Sequence, residues 1–126
     1  MSIANQVQLI TYPDSLGQNL AELHFVVKRY LSKAVKGIHL LPFFPSSADR
    51  GFAPITYYRV DPAFGTWRDI DKLGREFDLM IDFMVNHISR QSLYFQDYLE
   101  NGKNSPYADM FLGFDKLAPN GSISEE

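Results

Sequence analysis

Apolar and polar positions along this chain alternate between two periods. VQLITY (7–12) is rich in strand formers and runs into the turn-like PDSLG (13–17). Leu20, Leu23, Val27 and Leu31 then recur at spacings of three or four with polar residues between them, which predicts an amphipathic helix. KGIHLLPFFP (36–45) is almost continuously apolar, as in a strand buried on both faces, the usual condition in a parallel sheet. SSADRGFAPITYY (46–58) has no such period and reads as a long polar and aromatic loop. Thr66, with Asp69 three places on, forms a variant capping box before a helix striped by Trp67, Ile70, Leu73 and Phe77. DLMIDFMVN (78–86) predicts a third strand and 92–100 a third helix; no period emerges from 105 to 126.

The predicted order β-α-β-α-β-α specifies an α/β fold with a parallel sheet, and leaves open whether the sheet closes. Neither GxGxxG nor GxxxxGK[ST] follows the first strand, which removes the usual support for dinucleotide or P-loop chemistry. Three strands with both edges open make a poor core alone, so the chain is expected to be the front portion of a larger domain. Composition changes this little: 45% hydrophobic and 14% aromatic content in 126 residues suffices for a core. A net charge of −3 with no Lys/Arg cluster leaves no footprint for nucleic acid. The absence of cysteine excludes disulfides and thiolate chemistry. With no apolar run of roughly 18 residues and no signal-like start, no membrane partner is expected and a cytoplasmic location is.

In parallel α/β folds the chemistry gathers at the carboxyl ends of strands. Here that means residues 12–14, the loop 45–58, and Asn86 with His87. Adjacent strands would bring Asp49, Asn86 and His87 together. Each has a plain reading beside the functional one. Asp82 within its strand needs an ion partner or several hydrogen bonds, and structural pairing competes with catalysis. His87 is a ligand contact or a rim histidine. Asn86 fixes backbone or supports the site rather than touching substrate. Phe52 stacks on a ligand or fills the loop. His24 and His39 read as packing residues. With no HExxH and no zinc-like spacing the metal signal is weak, and an oxygen-rich calcium site through Asn86 would need partners the sequence does not locate.

IDFMVNH (81–87) resembles the third-strand signature of the alpha-amylase superfamily, and GFAPITYYRVDPAFGTW (51–67) the segment those enzymes place after strand two. More narrowly, VQLITYPDSLGQNL, GIHLLPFFPSSADRGFAP and DFMVNHISRQSLYFQDYLENG resemble the sucrose phosphorylase branch. The resemblance implies the first three units of a (β/α)8 TIM barrel, with the barrel part spanning 1–104 and an inserted domain beginning at 105–126. It implies a retaining glucosyl transfer that phosphorolyses sucrose to α-D-glucose 1-phosphate and fructose. Close alternatives are phosphorylases of sucrose 6-phosphate or glucosylglycerate, an α-glucoside hydrolase or transglucosidase, or a non-catalytic interaction module. It implies substrate-binding roles for Asp49, Phe52 and His87 and structural support from Asp82 and Asn86. The nucleophile and the general acid/base are expected beyond Glu126, so this portion alone is expected to be inactive. Inorganic phosphate is the implied co-substrate, with no cofactor, and no metal is expected: Asn86 matches the calcium-linked asparagine of many amylases, but the phosphorylase branch generally works without calcium. A homodimer is among the assemblies the resemblance allows. Phe52 stands where the wider superfamily commonly has tyrosine, and Thr56 where many members have aspartate.

Overall fold

The computed structural model describes residues 5–118, which fall into two compact units divided between Ser89 and Arg90. The first unit holds strand β1 (Val7–Thr11), helix α1 (Leu20–Val26), strand β2 (Val35–Leu40), helix α2 (Trp67–Gly74) and strand β3 (Asp78–Ile81). The strands form one parallel sheet in the order β1-β2-β3. This is the β-α-β-α-β series expected at the start of a (β/α)8 barrel.

Local chemistry starts both helices. Asn19 Oδ1 accepts from the Glu22 N–H at 3.0 Å while Glu22 Oε2 accepts from the Gln18 N–H at 2.9 Å, a reciprocal cap before α1. At α2 the Asp69 carboxylate accepts from both the Thr66 N–H (3.0 Å) and its hydroxyl (2.8 Å). The apolar stripe of α1 continues through a π-helical turn, Val27–Leu31.

Register decides what each face of the sheet meets. Leu9, Ile38 and Leu79 lie side by side across the strands, and with Leu40 they pack against Leu20, Leu23, Val27, Leu73 and Phe77. That is the helix-covered core. The alternate row, Ile10–His39–Met80, points to the opposite face, where Ile10 is 63% and Met80 47% exposed.

Two strands are shorter than the apolar runs suggest. β2 ends at Leu40 and β3 at Ile81, so 82–86 is irregular rather than strand. Pro42 supplies the reason. The Leu41 N–H is donated to Thr11 O at 2.9 Å, toward β1, so the next donor directed at β3 belongs to residue 42. Proline has none, and the ladder stops.

The second unit contains helix α3 (Leu93–Asn101), capped by Ser92 Oγ accepting from the Phe95 N–H at 3.2 Å, and helix α4 (Phe114–Leu117). Phe111 packs against Phe95 and Tyr98 at ring separations of 5.3 and 4.9 Å. No helix among the described residues is long and apolar enough to cross a membrane. The part of the tail from 119 onward lies outside the described residues.

Candidate functional site

The loop after β2 is not shapeless. Ser46 and Pro54 form an antiparallel bridge, the Ser47 N–H donates to Ala53 O at 3.1 Å, and the Ile55 N–H donates to Pro45 O at 2.7 Å. The segment is a small hairpin, stitched internally by Ser46 Oγ, which lies 2.8 Å from Ala53 O and accepts from the Ala53 N–H at 3.2 Å. Its tip is Asp49-Arg50-Gly51-Phe52, closed by the Phe52 N–H on Asp49 O at 3.0 Å. Arg50 has φ 47° and Gly51 φ 103°, the positive pair of a mirror-image type I′ turn, and Asp49 is also left-handed at φ 54°.

Such a backbone has a cost. Glycine adopts it freely and aspartate tolerates it, whereas an arginine held there costs ~1–3 kcal/mol. Contacts of similar size hold it in place. The Arg50 guanidinium donates to Asp14 Oδ1 at 3.0 Å and lies 4.1 Å from the centre of the Tyr12 ring. An exposed ion pair contributes ~0.2–1 kcal/mol and a cation over an aromatic face ~0.5–1 kcal/mol, enough to offset most of the strain. Gly51 is fixed for a second reason: a methyl group there would sit 2.7 Å from Pro42 Cβ and 2.8 Å from Pro42 O.

Beneath the hairpin lies an aromatic floor. Phe43 and Phe44 are buried, 4.6 Å apart, and Trp67 meets them edge-on at 5.7 and 6.0 Å. Tyr57 extends the floor from Phe44 to Phe83 and donates its hydroxyl to Met84 O.

The segment after β3 is then tied to the hairpin. His87 Nε2 lies 2.7 Å from Phe52 O, the Ser89 N–H donates to Pro54 O at 2.9 Å, and the Ser47 and Ser89 hydroxyls meet at 2.6 Å. Since a carbonyl only accepts, the His87 proton must sit on Nε2. A neutral His87 therefore presents Nδ1 as an acceptor, and it donates from Nδ1 only as imidazolium.

Of the five residues singled out from the sequence, the geometry joins Phe52 and His87 directly. Asp49 opens the same turn, is exposed, and its carboxylate has no partner among the described residues. Asp82 lies a strand's period beyond Met80, on the face of His39, and its Oδ2 meets His39 Nε2 at 3.0 Å. His39 is thus a polar partner rather than a packing residue. His24 does pack, its ring edge-on to Phe77 at 6.5 Å, with Nε2 3.4 Å from Glu76 Oε1. Asn86 is exposed, with no side-chain partner among the described residues. No group of three or more His, Asp or Glu side chains among the described residues could hold a metal ion. Sequence reasoning missed Arg50 and Gly51. Arg-Gly by itself is a weak signal, since a type II turn also places glycine second; the primed form shows only in the positive φ of Arg50.

A model of the alpha-amylase catalytic domain matches residues 11–124. The chain belongs to the alpha-amylase family. Within that family it is 58% identical over 121 residues to a sucrose 6(F)-phosphate phosphorylase of Thermoanaerobacterium thermosaccharolyticum, covering 96% of this chain and 25% of that protein. It is 55% identical over 126 residues to a sucrose phosphorylase of Streptococcus mutans, covering 100% of this chain and 26% of the relative. Against the crystal structure of sucrose 6F-phosphate phosphorylase from Thermoanaerobacter thermosaccharolyticum the TM-score is 0.90 at 56% identity, over 98% of this chain and 25% of the other. The chain thus spans about a quarter of the length of the curated relatives it matches. In this family the hairpin after β2 and the segment after β3 stand at the carboxyl face of the barrel, where sites are built.

Proposed function

We propose that the chain is part of a retaining glucosyl-transferring enzyme that phosphorolyses sucrose to α-D-glucose 1-phosphate and fructose. The observation that carries this reading is the identity of 55–58% to two phosphorylases over nearly the whole chain, the site segments included. Residues 1–104 then form the amino-terminal part of the barrel and 105–126 the start of an inserted domain. Asp49 hydrogen-bonds hydroxyls of the glucosyl unit, Phe52 supplies an apolar platform beneath it, and His87 contacts a hydroxyl near the reacting centre. Asp82, paired with His39, and Asn86 serve as structural support rather than as substrate contacts.

Retention requires two displacements, with an aspartate and a glutamic acid about 5–5.5 Å apart. In this reading both are supplied by parts of the protein beyond Glu126. Phosphate enters as co-substrate in the second displacement, and no cofactor takes part. The same reading carries a cytoplasmic enzyme and a homodimer as its expectations.

The test is phosphate-dependent release of glucose 1-phosphate from sucrose by the full-length protein. Free glucose formed at a rate indifferent to phosphate would overturn the proposal in favour of a hydrolase or transglucosidase. A second reading, with sucrose 6F-phosphate as the preferred donor, is favoured by the 58% identity to the phosphorylase named for it. Competition between the two sugars at equal concentration separates the readings.

A further inference from the structure

We propose that Arg50 is a positioning residue of the glucosyl site, acting through the turn that carries Asp49 and Phe52. The inference rests on the reading of that site given above. Three observations converge on it. Asp49, Arg50 and Gly51 are consecutive left-handed residues, and Arg50 is the one whose side chain gains nothing from that conformation by itself. Its guanidinium, though largely exposed, spans to the segment after β1, pairing with Asp14 at 3.0 Å and lying 4.1 Å from the centre of the Tyr12 ring. On the other side, the turn is held by His87 Nε2 on Phe52 O and by Gly51 pressed against Pro42.

The turn is therefore gripped from two sides, by the segment following β1 and the segment following β3. The grip from β3 acts on Phe52. The grip from β1 acts through Arg50, the immediate neighbour of Asp49, whose carboxylate has no partner of its own among the described residues. Without the arginine anchor, a strained backbone at Asp49 is free to relax, and the direction of the carboxylate relaxes with it. Lysine can reach Asp14 but has no plane to lay on Tyr12.

The experiment uses the full-length protein with Arg50→Ala, Arg50→Gly and Arg50→Lys. Amide hydrogen exchange of residues 47–55 is read beside the kinetics of sucrose phosphorolysis. Exchange of the hairpin amides is expected to rise by about 10-fold in the Ala variant, with β1 and β2 unchanged, to be partly restored by Lys, and to stay within about threefold of wild type in the Gly variant, where relief of backbone strain offsets the lost anchor. KM for sucrose is expected to rise by about 10-fold while kcat changes little, because a contact made equally in ground and transition states is lost. Glycine is the decisive variant: it removes backbone strain as well as the anchor, so a role limited to stability would leave its KM at the wild-type value. Unchanged exchange in Arg50→Ala overturns the proposal, and so does a wild-type KM in Arg50→Gly. So does faster exchange with unaltered KM, which would uncouple the anchor from Asp49. A wild-type protein with no phosphorolysis overturns the reading of the site instead, and the exchange data still decide whether Arg50 holds the turn.

Discussion

Gly51→Ala is the sharpest probe of how the hairpin is built. At φ 103° an alanine is strained regardless of surroundings, at ~1–3 kcal/mol. Its methyl would also stand 2.7 Å from Pro42 Cβ and 2.8 Å from Pro42 O, and Pro42 is buried, with no freedom to move aside. Overpacking of this kind adds ~1–3 kcal/mol. Because the tip of the hairpin is exposed and can shift, the lower half of the combined range, about 3 kcal/mol, is the working value. Gly102→Ala is the matched control: φ is 55°, with nothing within 4 Å of the added methyl, so only backbone strain is paid. The assay is amide exchange of the hairpin hydrogen bonds, Ser47 N–H to Ala53 O, Phe52 N–H to Asp49 O and Ile55 N–H to Pro45 O. A loss of about 3 kcal/mol lowers their protection roughly 100-fold, or to the unprotected limit. Around Gly102, strain alone gives roughly 10-fold. Hairpin protection in Gly51→Ala within threefold of wild type would refute the packing argument, because neither the strain nor the clash could then be present.

The site and the helix caps give further expectations. His87→Ala should loosen the hairpin by ~0.5–1.5 kcal/mol, the net worth of one hydrogen bond, and lower kcat/KM at least 10-fold. His87→Gln, whose amide N–H can still reach Phe52 O, should keep hairpin protection near wild type while activity stays low; equal loss of both in the two variants would mean His87 is only a strut. Asp82→Ala should cost ~1–3 kcal/mol by leaving the His39 N–H unpaired, and Asp82→Asn less than half of that, read from unfolding midpoints. The Asp69 carboxyl is held below its usual range, first by the Thr66 hydroxyl, then by the Thr66 N–H and Lys72. A depressed carboxyl contributes stability above its unfolded pKa and loses it as pH falls through the folded value. Asp69→Asn should therefore be less stable than wild type by ~0.5–1 kcal/mol at neutral pH and indistinguishable from it well below about pH 4. A difference that persists in acid would assign the effect to shape rather than charge.

What could be seen in the sequence was set by period and by local chemistry. The stripe Leu20, Leu23, Val27 and the Thr66/Asp69 pair act within a turn or two of the chain, and they are where the structure places them. β3 was overextended because an apolar run contains no record of its partner. Pro42, forty residues away from Asp82, ends the ladder, and that reads as a strand end only once register is known. The loop after β2 was harder. Its order comes from a bridge between Ser46 and Pro54 and from side chains on other segments, Asp14, Tyr12 and His87. Those three side chains stand 35 or more residues in sequence from the partners they hold. Asp49 and His87 were marked by their places after strands two and three, and their roles, with that of Phe52, were expectations of the resemblance; the contacts of Arg50 with Asp14 and Tyr12 show only in the distances it makes.

In the proposed site, the direction of one proton would link the fold to the chemistry. His87 uses Nε2–H on the Phe52 carbonyl, so the nitrogen left for a ligand is Nδ1. A sugar hydroxyl near Nδ1 of a neutral ring must act as donor, which strengthens the nucleophilic character of that oxygen rather than withdrawing charge from it. An imidazolium reverses the sense, donating to the hydroxyl and stabilising negative charge on it. Catalysis that needs a donor at this position therefore needs His87 charged, or needs the ring to give up Phe52 when sugar binds. The two differ in what they do to the hairpin: a charged ring keeps its tie to Phe52, and a released ring frees it. Exchange at the Phe52 amide, whose partner is Asp49 O in the same turn, should thus be unchanged or slowed by glucosyl ligands in the first case and accelerated in the second. Because binding should also order Asp49, slower exchange is the expected result, and faster exchange would argue that the histidine trades its backbone partner for the sugar.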